Sequence, residues 1–534
     1  MDMPGSTSPA GQPSPTYPDI SLFEQADSEL RSLAGDCVHC GFCLPACPTY
    51  QLWGEEMDSP RGRIHLMTQV LDGAELTDAA ATHFDRCLGC MACLPACPSG
   101  VRYDRLIGAA RGWAEERPRS LRERAARTAI FAVFPYPRRL RLLSGPLRAA
   151  QRTGADRLIA RSGLAERLSP TLASALRLAP HSPRPPSPRA APFPRRPGAR
   201  RPLPGRVPAQ GRRRGVVGML TGCVQAVFFP GVNAATARVL ASEGCDVIIP
   251  GSQGCCGALS LHSGRQQEAA RFARRTIETF EQAGVDAIVV NSAGCGSATK
   301  EYPDLLKRDR QWSARASAMS DKVRDFAEFL AELGPVAVRH PLSVSAAYHD
   351  ACHLGHAQGI TTQPRALLRA IPDLRITEIA DGGTCCGSAG VYNLLQPEAA
   401  RELGERKAAS VRATGAGLLI SANPGCSLQI TSALASQGEH VAVAHTAEVL
   451  DASIRGLPVT ALIPLPDTRP PVLFKVGPGG RSRSAIRVDG RQRGKIHWLS
   501  AALVAEQCQW AAHPAREPTD RVVRRSADSG SEEW

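Results

Sequence analysis

Residues 37–48 read CVHCGFCLPACP, and residues 87–98 read CLGCMACLPACP. Every cysteine recurs in register at an interval of fifty positions, and both strings close on the same five letters, LPACP. Neither helical nor strand periodicity puts four thiols at these offsets to build a core, so the pattern answers to something the chain binds. In the run C-x2-C-x2-C-x3-C-P, three thiolates wrap one iron–sulfur cube. The fourth, set apart by an extra residue and a proline, ligates the neighbouring cube in two-cluster ferredoxins. Two copies are then needed, because each finishes the other's site. The spacing predicts two [4Fe–4S] clusters, one on Cys37, Cys40, Cys43 and Cys97, the other on Cys87, Cys90, Cys93 and Cys47. Zinc is the competing reading, since a CxxC pair supplies half of a tetrahedral site. Against zinc, the set is crowded and ends in a proline that a zinc ribbon does not require.

Outward from the two strings, residues 19–115 hold them together through short helical stretches such as PRGRIHLMTQVLDG. Residues 1–18 are polar and Pro/Ser-rich and are read as disordered; they do not have the basic, apolar make-up of a secretory signal. Segment 116–180 is Arg-rich and amphipathic (RSLRERAARTAIFAVF). It runs into residues 181–214, which contain ten Arg, ten Pro and no Asp or Glu. That stretch supplies +10 of the chain's net +14, so the charge marks a solvated, partly polyproline-like linker rather than a phosphate-binding or membrane-tethering face. Residues 116–214 are thus expected to be a helical segment and linker, with order resuming at Gly215 and fading after about Leu457 into a disordered tail, 458–534.

Between 215 and 457 lies a second repeat. Strand-like GVVGML precedes Cys223, DVIIP precedes Cys255 and Cys256 in GCCG, and DAIVVN precedes Cys295. The second half runs SVSAAY to Cys352, LRITEIA to Cys385 and Cys386 in TCCG, and GLLISA to Cys426. The first cysteine precedes the pair by 32 positions in one half and 33 in the other, and the pair precedes the last by 39 and 40. Apolar strands alternating with amphipathic helices predict parallel α/β units, 215–340 and 341–457, covered on both faces. The cysteines follow the strands, at the sheet edge where such folds build their sites. Each half offers four thiols. They are read as ligands of one or two additional clusters, with a redox dithiol, a vestigial site and plain buried cysteines as alternatives.

The composition fits this reading. With 534 residues, 43% apolar and 21% charged, the chain is globular and long enough for several domains. No apolar run reaches the ~18–20 residues that a membrane span needs. Eighteen cysteines in such a chain point to a reducing cytosol and to metal or redox chemistry rather than disulfides. His349, His353 and His356 are read as core or loop packing, with donation to a nearby centre as the alternative. Cys245 and Cys508 fall outside both repeats and are expected to be inert. GPGG at 477–480 is not a nucleotide fingerprint, since no strand precedes it. The chain has the means to carry electrons but no evident place for a flavin, a nicotinamide or a nucleotide.

These residues resemble a known family. CVHCGFCLPACPTYQLWGEEMDSPRGRIHLMTQVLDG and HFDRCLGCMACLPACPSGVRYDRL, with NAATARVL, GCCGA, AGCGS, CCGSAG and NPGC, are similar to the iron–sulfur subunits of bacterial glycolate oxidase (glycolate dehydrogenase). The subunits for lactate utilisation and anaerobic glycerol-3-phosphate oxidation share the architecture. The α/β repeat resembles the cysteine-rich CCG domains of heterodisulfide reductase, where each full motif ends in CxxC and five cysteines hold a double-cubane cluster. Here the terminal pairs read Ser292-x-x-Cys295 and Asn423-x-x-Cys426, one thiol short in each, which favours an ordinary four-thiolate cluster or none. The resemblance implies an α-helical ferredoxin-like domain over 19–115, then a pseudo-twofold α/β CCG domain. It also implies a partner FAD-binding 2-hydroxy acid oxidase subunit, FAD on that partner alone, and a quinone or other electron acceptor. The expected role is an electron-transfer subunit of an oxidoreductase that does not oxidise substrate by itself. It would be cytoplasmic, with peripheral attachment to the inner face of the membrane left open by the basic 116–170 segment. A thiol/disulfide reductase subunit, and the iron–sulfur subunit of a lactate or glycerol-3-phosphate dehydrogenase, are the alternatives; a nucleic-acid partner is not expected.

Overall fold

The computed structural model describes residues 20–155, 169–179 and 203–463, with isolated positions between 158 and 167. The expected disorder of 1–18, most of 181–214, and the tail beyond 463 with Cys508 lie outside the described residues.

The N-terminal part is helical. Helices Ile20–Gly35, Pro60–Leu71, Asp78–Arg86 and Tyr103–Glu116 surround a core of Met67, Ala81, Phe84, Leu106, Ile107 and Ala110. They stay short because the two cysteine strings interrupt them, and two of their starts carry a side-chain cap. Pro60 opens one helix with Ser59 Oγ accepting from Gly62 N at 3.0 Å, and Thr77 Oγ1 caps the next by accepting from Ala80 N at 3.2 Å.

Nine strands follow among the described residues: β1 (Arg206–Val207), β2 (Gly215–Leu220), β3 (Cys245–Ile248), β4 (Ala287–Val290), β5 (Val323–Asp325), β6 (Val344–His349), β7 (Leu374–Glu378), β8 (Leu418–Ser421) and β9 (Ala442–Ala444). They form two sheets, ordered β1-β3-β2-β4-β5 and β7-β6-β8-β9. Apart from β1, all pairings are parallel, and both sheets run second, first, third, fourth in chain order. The repeat seen in the cysteine spacing is therefore also a repeat of topology. Buried runs such as Leu418–Ser421 have no polar face to show, as expected for strands covered on both sides. Val217, Met219 and Val247 of one sheet share an apolar core with Tyr348, Leu418 and Ile420 of the other. Arg238 Nε and Nη2 clamp Asp451 across the halves at 2.8 and 2.6 Å.

Two expectations change. Order does not wait for Gly215: β1 pairs antiparallel with β3, Arg206 Nη2 donates to Asp246 Oδ2 at 2.6 Å, and Ala209 N donates to Asp246 Oδ1 at 2.9 Å. A two-residue edge strand inside an Arg/Pro-rich stretch has no alternation to reveal it. The segment after 116 is also more than a flank. Its helix Leu121–Val133 buries Ile130 and Phe131 against Val391 and Leu394, and Ser174 Oγ in helix Pro170–Arg177 donates to Asn393 O at 2.6 Å. No helix among the described residues is long and apolar enough to cross a membrane.

Candidate metal centres

Each cysteine string folds as an irregular loop between helices. Positive φ recurs at the same two places in both: His39 (53°) and Gly41 (87°) in the first, Gly89 (64°) and Met91 (61°) in the second. Such angles are costly for His and Met and persist where the surroundings impose them. They curl the backbone so that amides face the thiols, as Gly89 N does toward Cys87 Sγ at 3.4 Å. One cavity is lined by Cys37, Cys40, Cys43 and Cys97, with Cys93 on its wall. A second is lined by Cys47, Cys87, Cys90 and Cys93. The structure thus groups the fourth cysteine of each string with the first three of the other. The second quartet is buried. In the first, Cys40 is exposed, flanked by Val38 and Phe42 at 69% and 66% exposure.

Arginines sit beside both loops. Arg61 Nη1 donates to His39 O at 3.0 Å, and Arg111 Nη2 donates to Cys87 O at 2.5 Å. Both follow the third cysteine of their string by eighteen positions, so the fifty-residue repeat continues beyond the thiols, a signal the sequence reading passed over. Arg63 is fully buried and donates to His83 O at 2.7 Å and to Asp58 Oδ1 at 3.2 Å. Burial resists ionisation of Cys87, but Arg63, Arg111 and the Tyr103 hydroxyl at 3.6 Å outweigh it and hold the thiol below its ordinary range. Burial pushes Cys90 and Cys93 well up. Thiols held neutral in this way become good ligands once a metal supplies the missing positive charge.

In the α/β part, the eight repeat cysteines form two chains of contact. Cys255 touches Cys223 and Cys256, and Cys256 touches Cys295. Cys385 touches Cys352 and Cys386, and Cys386 touches Cys426. The CCG glycines, Gly257 (φ 86°) and Gly387 (φ 85°), turn each pair inward; a Cβ on Gly387 would stand 2.6 Å from Ala400 O. The buried N-terminal quartet adjoins the chain of the second repeat. Cys90 packs in one apolar cluster with Cys352, Cys385 and Tyr392, and Arg111 also donates to His262 O at 2.7 Å. A cavity of about 360 Å³ between Asp350, His356, Arg365 and Gly383 reaches Cys352 from the outside. Cys245 lies on β3 in the apolar core, outside both chains.

The three histidines expected to pack separate into different roles. His356 Nε2 contacts Gly383 O at 2.8 Å. His353 stacks on His262 with ring centroids 4.8 Å apart, its Nδ1 3.8 Å from Cys352 Sγ. His349 is 1% exposed, neither of its ring nitrogens has a partner among the described residues, and it lies among Cys386 and Cys426 with ligand atoms within 4.8 Å of one another. Burial pushes it down to about 3, so the ring is neutral and a lone pair is available.

This is the class of protein that joins a two-cluster cysteine module to paired cysteine-rich α/β repeats. The family models agree: a 4Fe-4S dicluster domain matches residues 34–101, a cysteine-rich CCG domain matches 217–300 and 346–431, and the linker region of the glycolate oxidase iron–sulfur subunit matches 122–179. The chain is 37% identical over 425 residues to a probable glycolate oxidase iron–sulfur subunit of Bacillus subtilis, covering 78% of this chain and 93% of that one. It is 35% identical to the glycolate oxidase iron–sulfur subunit of Escherichia coli, covering 77% and 91%. It is 33% identical to lactate utilization protein A of Shouchella clausii, a shorter protein that is 98% covered by 44% of this chain. The chain belongs to the glycolate oxidase iron–sulfur subunit family.

Proposed function

We propose that this protein is the iron–sulfur electron-transfer subunit of a glycolate oxidase complex, an oxidoreductase in which the organic chemistry takes place on another chain. The observation that carries the reading is the crosswise grouping of the N-terminal cysteines: Cys37, Cys40, Cys43 and Cys97 around one cavity, Cys47, Cys87, Cys90 and Cys93 around the other. Both quartets have the ligand number and chemistry for a [4Fe–4S] cube, which accepts and releases electrons singly at a potential set by charge, hydrogen bonds and exposure. The residues around them do the tuning. Arg61 and Arg111 bring positive charge to the loops, the curled backbone offers amides to sulfur, and Met67, Phe84 and Ile107 keep water from the buried quartet.

The finer assignments rest on the family likeness together with this geometry. A partner FAD-binding subunit oxidises glycolate or a similar 2-hydroxy acid and delivers electrons to this chain, which hands them to a quinone or another acceptor. Cys40, with Val38 and Phe42 exposed beside it, is one end of the path; the repeats, reached through the contact of Cys90 with Cys352 and Cys385, are the other. The repeats hold at least one further iron–sulfur centre, and their shared strand order and the Ser292–Asn423 contact support a pseudo-twofold relation between 215–340 and 341–457. Attachment of the complex to the inner face of the cell membrane would use the basic 116–170 segment, where Leu121, Leu142 and Leu143 are exposed.

The test is stepwise. In a complex carrying Cys40→Ser or Cys90→Ser, glycolate still reduces the flavin of the partner, while reduction of the terminal acceptor is lost. Equal loss of both steps would leave these cysteines a structural role only.

A further inference from the structure

The two repeats are alike in topology but not at one ligand position. β2 and β6 are counterparts, and each ends three residues before the first cysteine of its repeat: β2 at Leu220 before Cys223, β6 at His349 before Cys352. Leu220 packs in an apolar cluster with Cys256. His349 takes the same place beside Cys386, the counterpart of Cys256, and Cys426 completes the group. One half therefore closes this corner with a hydrocarbon, the other with an imidazole.

The imidazole is an unusual thing to bury there. Neither His349 nitrogen has a hydrogen-bond partner among the described residues. A buried polar group left unpaired is destabilising, and native structures rarely keep one without a reason. Other unpartnered buried groups gather in the same half: Ser421 Oγ, opposite His349 in the β6–β8 register, and Ser388 Oγ, two residues after Cys386. Lys407, which donates to Asp381 O at 2.6 Å, is the cation that faces the site. Ligand atoms about 2.0–2.3 Å from one metal stand less than about 4.6 Å apart. The His349, Cys386 and Cys426 ligand atoms, within 4.8 Å of one another, are close enough to serve one small metal centre.

We propose that His349 is a metal ligand: together with Cys386 and Cys426 it belongs to the ligand set of an iron–sulfur centre in the second repeat, supplying the ligand that Asn423 does not. The first repeat has no equivalent, so the two repeats are not interchangeable and the histidine-ligated centre lies on the side that Cys352 and Cys385 bring against Cys90. Ser421 Oγ is available to accept from the other ring nitrogen, in the place that a carboxylate, backbone carbonyl or water usually takes beside a ligating histidine. The proposal rests on the reading that the second repeat holds a centre.

Full-length protein, purified without oxygen from cells grown on 15N-histidine, tests it by pulsed EPR of the reduced centres. The expected result is a nitrogen coupling that follows the histidine isotope and disappears in His349→Leu, which installs the residue of the first repeat. The N-terminal clusters keep their iron and sulfide. His349→Cys should retain the centre but make it harder to reduce, because a thiolate adds negative charge where a neutral ring stood. Cys386→Ser separates the two ideas. If it costs neither iron nor signal, the second repeat holds no centre and the reading falls, taking the proposal with it. If it costs both while the native protein shows no histidine-dependent coupling, the centre stands and His349 is not its ligand. A coupling that survives in both His349 variants belongs to another histidine and also overturns the proposal.

Discussion

Ser292 Oγ lies 3.3 Å from Asn423 Oδ1, and the two residues are the same position of the two repeats, three before the last cysteine. Gly294 N also donates to Asn423 Oδ1, at 3.4 Å, and the amide nitrogen of Asn423 donates to Cys426 Sγ at 3.4 Å. The places where the wider cysteine-rich pattern carries another thiol have become a polar joint between the halves, with one arm on a candidate ligand.

That joint predicts the effect of Asn423→Asp. The shape is kept and the carboxylate still accepts from Ser292 and Gly294, but the donor to Cys426 is replaced by a negative charge. A hydrogen bond to a charged sulfur favours the more reduced, more negative state. The centre of the second repeat should become harder to reduce, by on the order of 50 mV, equivalent to roughly 1 kcal/mol for one electron. Iron content should not change. An EPR-monitored redox titration checks this, and an upward shift would place Cys426 outside the centre.

Crosswise ligation makes an unusual claim about Cys97 and Cys47. Cys97→Ser should remove the cluster of the first string, fifty residues upstream, while Cys47→Ser should remove the cluster of the second. Each variant should lose about four irons, one cube's worth, and keep the other N-terminal cube together with the iron of the repeats, since each cube draws on both strings. Because Cys40 is exposed and the other quartet is buried, the cluster that survives in Cys47→Ser should be stripped by a chelator faster than the one that survives in Cys97→Ser. Iron and sulfide assays with chelation time courses decide it; the reverse order would assign each string its own cube.

Gly264→Ala should loosen the seam between the helical part and the first repeat. Gly264 has φ 81°, and a Cβ there would stand 2.2 Å from Arg111 O, on the helix whose Arg111 side chain reaches both Cys87 O and His262 O. Left-handed strain and the backbone clash together should cost about 2 kcal/mol or more. A lower thermal midpoint and slower electron transfer between the N-terminal clusters and the repeat are expected. An unchanged midpoint would mean the seam yields without cost.

What could be read in the chain followed locality. The spacing of Cys37, Cys40 and Cys43 is a property of seven consecutive residues, and runs such as LLIS announce buried parallel strands on their own. The repeat implies that the two sheets share a strand order, but not which order it is. Contacts such as Cys90 with Cys352 and Arg111 with His262 join residues more than 150 positions apart, and no periodicity carries them. The two-residue strand Arg206–Val207 was hidden by its Arg/Pro surroundings. His349 was a different case: setting YHDAC above LTGC exposes the exchange of Leu220 for His349, but only the structure shows that the ring has no partner.

Val38 and Phe42 are expected to form the contact for the electron-donating or electron-accepting partner. Exposed apolar side chains on either side of an exposed cluster ligand are a costly surface to leave bare unless something covers it. Phe42→Glu should leave iron content and the thermal midpoint unchanged, while slowing electron transfer with the partner at least tenfold, about 1.4 kcal/mol of contact energy. Stopped-flow reduction of the clusters by the glycolate-reduced partner measures this. A normal rate would move the docking surface elsewhere.

Asp325 should give the fold a pH dependence of its own. It caps helix Phe326–Leu333, its Oδ1 accepting from Ala327 N at 2.8 Å, and Glu328 Oε2 accepts from Asp325 N at 2.8 Å. Burial pushes its carboxyl up from 3.8 to about 7, Glu328 adds to the rise, and Lys300 only partly opposes it. The folded state therefore keeps a proton that the unfolded chain gives up near pH 4. Between about pH 4 and 7 the folded state binds more protons, so this group's contribution to stability falls as pH rises, and it is flat above. A shift of this size is worth up to about 4 kcal/mol at pH 8. Asn is an equally good cap and does not titrate. Asp325→Asn should match the native protein near pH 4, exceed its thermal midpoint by a growing margin up to pH 8, and lose the slope between them. A variant less stable than the native protein at pH 8 would show that the ionised carboxylate is stabilised after all, by groups such as Lys300.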